Sequence, residues 1–217
     1  MTDLSTLEYV DSPELLAEWI DHLRGAQRIA VDTESDSFHH YQEKVCLIQM
    51  TANGRDAIID PLKIEDIQCL AEVFADPDRI KIFHDVGYDL LCLKRDFGFE
   101  IRGLFDTMLA SRLLGKKKFG LASILEERFG FIADKRYQRS NWAQRPLSDG
   151  QLEYARSDTH YLPEVAEQLQ KELYMKILKN LGAFLTFVTD IFQNSRYKLS
   201  RLTHGNTKLQ KLISCPS

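Results

Sequence analysis

Four carboxylates and a tyrosine stand where the local pattern of the chain calls for apolar side chains. In Arg28–Glu34 the two-residue period of a strand puts Ile29 and Val31 on one face and Ala30, Asp32 and Glu34 on the other. Two like charges side by side require a cation, a proton or open water, and solvent exposure alone also accounts for a pair at a strand end. In the helical pattern that follows His84, the residues Leu90, Leu93 and Phe97 form an apolar stripe, and Asp89 lies one turn before Leu93. A carboxylate in a first turn also favours the positive end of the helix dipole. Between residues 151 and 169 the inward stripe runs Ala155, Asp158, Leu162, Val165, Leu169, with Tyr154 one turn before Asp158. An unpaired buried carboxylate is costly, so Asp158 needs a cation or good hydrogen bonds, a salt bridge to an arginine being the alternative.

Hard oxygen ligands without His or Cys suit Mg²⁺ or Mn²⁺ rather than zinc. Two such ions about 4 Å apart are the recurring device for in-line displacement at a phosphodiester. No competing centre is present in the sequence: there is no Walker A loop, GxGxxG, GxSxG or HExxH. Cys46, Cys69, Cys92 and Cys215 form no CxxC or Cys/His cluster, and the first three fall in apolar, patterned segments.

The elements that must position these groups alternate as in an α/β domain. A Ser-Pro start opens a helix over 12–24, and three strand-like runs follow, Arg28–Glu34, Lys44–Thr51 and Arg55–Asp60. Asn53-Gly54 marks a hairpin between the last two. A helical pattern from Ile64 to Phe74, a strand over Arg79–His84, a helix over Val86–Phe97 and a short strand near Glu100–Leu104 come next. From Asp106 the chain reads as helical, broken at Gly115, Gly130 and 133–145, with Pro163 as a kink or boundary inside 148–173. The fold class expected is α/β, a mixed β-sheet flanked by helices.

At 217 residues with 44% hydrophobic side chains the chain can bury one domain core, which excludes general disorder. The longest nearly apolar stretch, Leu181 to Phe192, is far short of a membrane span of roughly 20 residues. The acidic N-terminus has no apolar signal region, so a cytoplasmic protein with no membrane partner is the expectation. The net charge of −4 hides two segments of +6 each, Arg112 to Arg145 and Lys171 to the end, which leaves −16 on the remainder. An acidic pocket beside a basic surface is one consequence, and solvated helix faces are the other.

The residues Asp32-Thr-Glu34, the stretch KIFHDVGYDLLCL with Asp89, and Tyr154-Ala-Arg-Ser-Asp158 resemble the three motifs of the DEDD exonucleases, in the DEDDy branch. The segments 59–62, 105–115, 120–130 and 134–148 resemble ribonuclease D and the exosome-associated 3′–5′ exoribonuclease, over about residues 7–172. The resemblance implies a ribonuclease H-like fold and stepwise removal of 5′-mononucleotides from RNA 3′ ends, with an exonuclease domain over 1–175 and a helical, basic tail over 176–217.

It also implies roles. Asp32, Glu34 and Asp158 would hold the ion that activates water, Asp32 would bridge to a second ion, and Asp89 would act mainly through that ion's waters. Tyr154 would orient the attacking water, because a phenol with an ordinary pKa near 10 is a poor base at neutral pH. His84 would support the pocket, and Lys116, Lys117, Lys118, Arg136, Gln138, Arg139 and Arg145 would track the strand, with Trp142 stacking on a base or anchoring the core. Ribonuclease D proteins usually continue into a helical HRDC domain, which the tail does not resemble. The same chemistry on DNA, or a non-catalytic RNA-binding module on the same fold, are the alternatives.

Overall fold

The hairpin at Asn53-Gly54 forms as expected, with φ of 50° and 77° at its two central residues. That pair of left-handed residues is what a two-residue turn of type I′ demands, and Asn and Gly adopt it most readily. The hairpin joins antiparallel strands β3 (Val45–Ala52) and β4 (Arg55–Ile59) in the computed structural model, which describes residues 7–37 and 43–203. Strand β2 (Arg28–Ser35) pairs antiparallel with β3. Strands β1 (Leu7–Val10), β5 (Ile80–Phe83) and β6 (Leu104–Asp106) add in parallel to β4, β2 and β5. The six strands lie in the order β1-β4-β3-β2-β5-β6, a mixed sheet.

The two faces of the sheet follow from the strand period. Ile29, Val31, Ile48 and Met50 point into the main core with Trp19 of α1 (Pro13–Leu23), Phe74 of α2 (Leu70–Ala75) and Leu93 of α3 (Gly87–Phe97). On the other face, Ala30 and Ile82 meet Leu162 and Ala166 of α7 (Leu162–Thr203). Leu47 and Ile58 meet Trp142 and Ala155 of α6 (Asp149–His160). Helices α4 (Thr107–Leu114) and α5 (Leu121–Phe129) end at Gly115 and Gly130, at φ 81° and 65°, the left-handed caps that the sequence breaks mark.

One strand was not foreseen and three expectations shift. Strand β1 carries too few residues to show a period, and its place depends on the distant β4. The helix expected over 64–74 contracts to α2, because Asp60 and Asp66 take the chain into local turns. Asp60 accepts from the Leu62 N–H at 3.0 Å and Asp66 from the Gln68 N–H at 2.7 Å. Ile64 and Ile67 are buried all the same. The strand expected near 100–104 runs over Leu104–Asp106, and Cys69 is exposed at the start of α2 rather than packed.

The chain divides into two compact units, Met1–Lys171 and Glu172–Ser217. The second contains the distal part of α7, helical to Thr203, and residues 204–217 of the tail lie outside the described residues. Among the described residues no helix is long and apolar enough to cross a membrane.

Helix α6 is bolted to the sheet by a buried polar knot. The Asp56 carboxylate accepts from Thr51 Oγ1 at 2.7 Å, Arg156 Nε at 2.7 Å and His160 Nδ1 at 2.8 Å. Burial pushes this carboxyl up, but the three donors outweigh it and hold it below the ordinary range. Its stabilising contribution is therefore complete above the unfolded value near pH 4 and is lost as pH falls through the lower folded value. Asp56→Ala removes this anion from beside the buried Arg156 and is expected to cost about 3–5 kcal/mol in urea unfolding at pH 7. The difference should narrow below pH 4, and a loss under 1 kcal/mol at pH 7 would mean that α6 is held by apolar contact alone.

Candidate metal centre and nucleic-acid cleft

Strand β2 carries Asp32 and Glu34 on the face that meets α6, and α6 brings Asp158 to the same place. One carboxylate oxygen from each of the three lies within 4.8 Å of the other two. All three side chains are half-buried, and they line one cleft of about 500 Å³ together with Tyr154, His84 and Gln138. Strand β5 pairs with β2 only over Arg28–Ala30, so the carboxylates sit just beyond the point where the two parallel strands part. Helix α6 starts at a capping box, in which Ser148 Oγ accepts from the Gln151 N–H and Gln151 Oε1 accepts from the Ser148 N–H.

Asp89 reaches the cluster from the other side of the sheet. It is buried in the first turn of α3 and accepts a 2.5 Å hydrogen bond from Thr33 Oγ1, the residue between Asp32 and Glu34. It is not part of the three-carboxylate group. The turn before α3 is fixed by Asp106, which caps α4 through the Met108 and Leu109 N–H groups at 2.8 and 3.0 Å. Its Oδ2 also accepts from the Val86 N–H at 3.2 Å.

Crowding these acids together changes their protonation. Burial, then repulsion from Asp89, pushes Asp158 up to about 8. Burial, then Asp89, Asp158 and Glu34, raises Asp32 well above the carboxylate range, and Glu34 rises through burial, Asp158 and Asp89. Asp89 rises to about 6 through burial, against the bond from Thr33. Such a set of acceptor-only oxygens fits a hard divalent cation, whose charge removes the repulsion. Asp32, Glu34 and Asp158 could hold it directly.

Tyr154 lies one turn before Asp158, its ring stacked on Trp142 at 6.0 Å. Burial and then the charges of Asp158, Glu34 and Asp32 drive its pKa up, so its hydroxyl keeps its proton. His84 Nδ1 lies 2.9 Å from Thr107 Oγ1, which itself donates to the Phe83 carbonyl at 3.0 Å. The threonine proton is thus committed, so Nδ1–H donates and Nε2 is left as an acceptor without a partner among the described residues. Burial holds the ring below the usual histidine value.

The basic residues divide into two groups. Lys117, Lys118 and Arg139 are exposed, Lys116 is half-buried, and Lys135 and Gln138 line the cleft. Arg136 is exposed and forks onto Asp134, with Nε 2.9 Å from Oδ1 and Nη2 2.5 Å from Oδ2. Arg145 is not presented to the cleft. It binds the buried Asp60 through Nε at 2.6 Å and Nη2 at 2.8 Å, and it donates to the Trp142 and Cys46 carbonyls. Trp142 is 1% exposed and anchors the core between β3 and α6, the packing alternative of the sequence reading. The family motifs did not point to the first turn of α5, where Gly120, Leu121, Ala122 and Ser123 line the cleft with a helix N-terminus. Gly150, in the first turn of α6, makes room for Tyr137: a Cβ there would sit 2.1 Å from the tyrosine hydroxyl.

A family model described as 3′-5′ exonuclease matches residues 7–174. The chain belongs to the 3′-5′ exonuclease family. It is 39% identical over 166 residues to the exosome complex exonuclease RRP6 of Saccharomyces cerevisiae, covering 76% of this chain and 23% of that protein. The crystal structure of Escherichia coli RNase D, an exoribonuclease involved in structured RNA processing, superposes with a TM-score of 0.72 at 32% identity. That match covers 76% of this chain and 44% of the other. Brucella melitensis NrnC with bound Mg²⁺ matches at TM-score 0.64 and 28% identity, over 79% of this chain and 83% of that one. The chain therefore spans less than half the length of RRP6 and RNase D. The α/β fold expected from the sequence is the fold of these exonucleases.

The raised carboxyl of Asp158 has a measurable sign. A group held at about 8 in the fold costs stability increasingly as pH climbs from its unfolded value near 4 to about 8. In chelator at pH 8, Asp158→Asn is expected to melt above the parent chain, by about 2–4 °C for each kcal/mol relieved. The gain should vanish near pH 4. Equal melting temperatures at pH 8 would show that the three acids do not burden the metal-free fold.

Proposed function

We propose that the chain is a metal-dependent 3′–5′ exoribonuclease that releases 5′-mononucleotides from RNA 3′ ends, using two divalent ions, Mg²⁺ or Mn²⁺. The observation that carries this reading is the convergence of Asp32, Glu34 and Asp158 on the cleft that Tyr154 lines, within the segment matched by the exonuclease family. The ions supply, when bound, the activation of water and the stabilisation of charge on the leaving oxygen. Asp32, Glu34 and Asp158 would hold them, with Asp89, tethered by Thr33, supporting the site from across the strand.

Hydrolysis forms a bond from the water oxygen to phosphorus and breaks the bond from phosphorus to the 3′ oxygen, which leaves as a hydroxyl. Tyr154, protonated, orients the water by donating or accepting a hydrogen bond rather than by taking its proton. Gly120 to Ser123, at the N-terminus of α5, line the cleft, a favourable place for an anionic phosphate, and Lys135 lines it as well. His84 Nε2, an acceptor, suits a hydroxyl donor and not a phosphate oxygen. Lys117, Lys118 and Arg139 are exposed cations that can follow the strand.

A 5′-labelled RNA with a 3′ overhang is expected to shorten stepwise in Mg²⁺ or Mn²⁺ and to stay intact in chelator. Asp32→Asn should abolish the ladder while RNA binding persists, and Tyr154→Phe should lower kcat about 10²-fold with KM nearly unchanged. Equal shortening of the DNA counterpart would make the substrate class wider than RNA. Binding without any ladder would assign the fold to an RNA-binding module.

A further inference from the structure

Strand β3 contributes a residue that none of the exonuclease motifs includes. Gln49 is 0% exposed, and neither its Nε2 nor its Oε1 has a hydrogen-bond partner among the described residues. A buried carboxamide left unpaired costs about 1–3 kcal/mol, so its presence in the run Val45–Ala52 is not explained by packing. The strand register gives its direction. Gln49 is the direct partner of Asp32 across the β2–β3 ladder, as Thr51 is of Ala30 and Leu47 of Glu34. Directly opposed residues of an antiparallel pair share a face, with Cβ atoms about 4.5–5.5 Å apart. That face is the one under α6: Thr51 Oγ1, its proton given to Asp56, lies 2.9 Å from the Thr159 hydroxyl of α6, and Leu47 packs with Ala155. Gln49 thus stands directly opposite Asp32 on the sheet face that α6 covers.

The chemistry of the two partners is complementary. An ionised carboxylate accepts only, and the Asp32 carboxylate, which takes the Thr33 backbone N–H, has lone pairs enough to accept from a further donor while it serves a cation. The Gln49 amide has two N–H donors and one acceptor, so it can serve Asp32 either ionised or protonated. Groups that hold a ligating carboxylate from behind orient it and tune its affinity, and their loss typically weakens metal binding 10–100-fold.

We infer that Gln49 is a positioning residue for the metal centre: its carboxamide, unpaired in the metal-free protein, pairs with the Asp32 carboxylate across the ladder when a divalent cation binds and holds it in the binding orientation. The inference rests on the reading of Asp32, Glu34 and Asp158 as the metal ligands. It gives the position an unusual sign. An apolar residue of the same shape removes the unpaired polar atoms and so stabilises the metal-free fold, while it weakens the cation site.

The test is calorimetric titration of Mn²⁺ into the full chain and into Gln49→Met, together with melting temperatures in chelator. The expected result is a melting temperature for Gln49→Met at or above that of the parent, with Mn²⁺ affinity about 10-fold weaker. Equal affinity in the two proteins, with the parent binding normally, would overturn the inference. Failure of the parent itself to bind Mn²⁺ would instead overturn the metal-centre reading and the inference with it. Should Gln49→Met fail to fold, the side-chain amide resonances of Gln49 in the parent decide: they are expected to shift on addition of Mg²⁺, and unmoved resonances would reject the role.

Discussion

Like charges brought together under a protein surface repel, and here that repulsion is built into one strand and one helix. Asp32 and Glu34 cannot avoid each other, because the pleat of β2 aims both at α6, and Asp158 is delivered against them. The rest of the structure can be understood as what makes this arrangement tolerable. Strand β2 is a central strand, held by β5 over its first residues and by β3 through Asp32 and Glu34, so the ladder to β3 keeps it from twisting its acids outward. Helix α6 cannot drift away, because Asp56 grips Arg156 and His160 from the β4 side while Thr51 bonds Thr159. Asp89 is kept at its distance by a hydroxyl from the same strand.

Ion pairs and acid clusters thus serve opposite ends in the same domain. Asp56 and Asp60 are each surrounded by donors and sit below the ordinary carboxylate range despite their burial. The acids of the cleft have few donors and rise. A satisfied carboxylate fixes geometry, and an unsatisfied one retains the capacity to bind something. Arg145 illustrates the first case: a cation inside a basic segment is spent on a buried aspartate and on backbone carbonyls, and it closes the loop that carries Trp142 beneath Tyr154.

The legible part of this design was the part with a period. Two-residue alternation placed Asp32 and Glu34 on one face, and the three-and-four spacing of Ala155, Leu162, Val165 and Leu169 exposed Asp158 as an intruder among buried residues. Asn53-Gly54, Gly115 and Gly130 marked their turns because each demands a left-handed backbone. Long-range partners were not legible. Strand β1 exists through β4, and nothing in the type of Arg145 reveals that Asp60 is waiting for it. Apolar spacing over 64–74 misled where aspartate side chains captured nearby N–H groups and delayed the start of the helix to Leu70. Gln49 did carry a signal, a lone amide in an apolar strand, but its meaning required the register that sets it against Asp32.

Gly150 bears on how this family can vary. A glycine loses more backbone freedom on folding than any residue with a side chain, so its place in α6 calls for a reason. Here the missing Cβ is the seat of the Tyr137 hydroxyl. The two positions therefore form a lock and its key. A side chain at 150 needs either a shift of the Tyr137 ring or a smaller residue at 137, so change at 150 is coupled to 137, whereas a smaller residue at 137 meets no clash with Gly150.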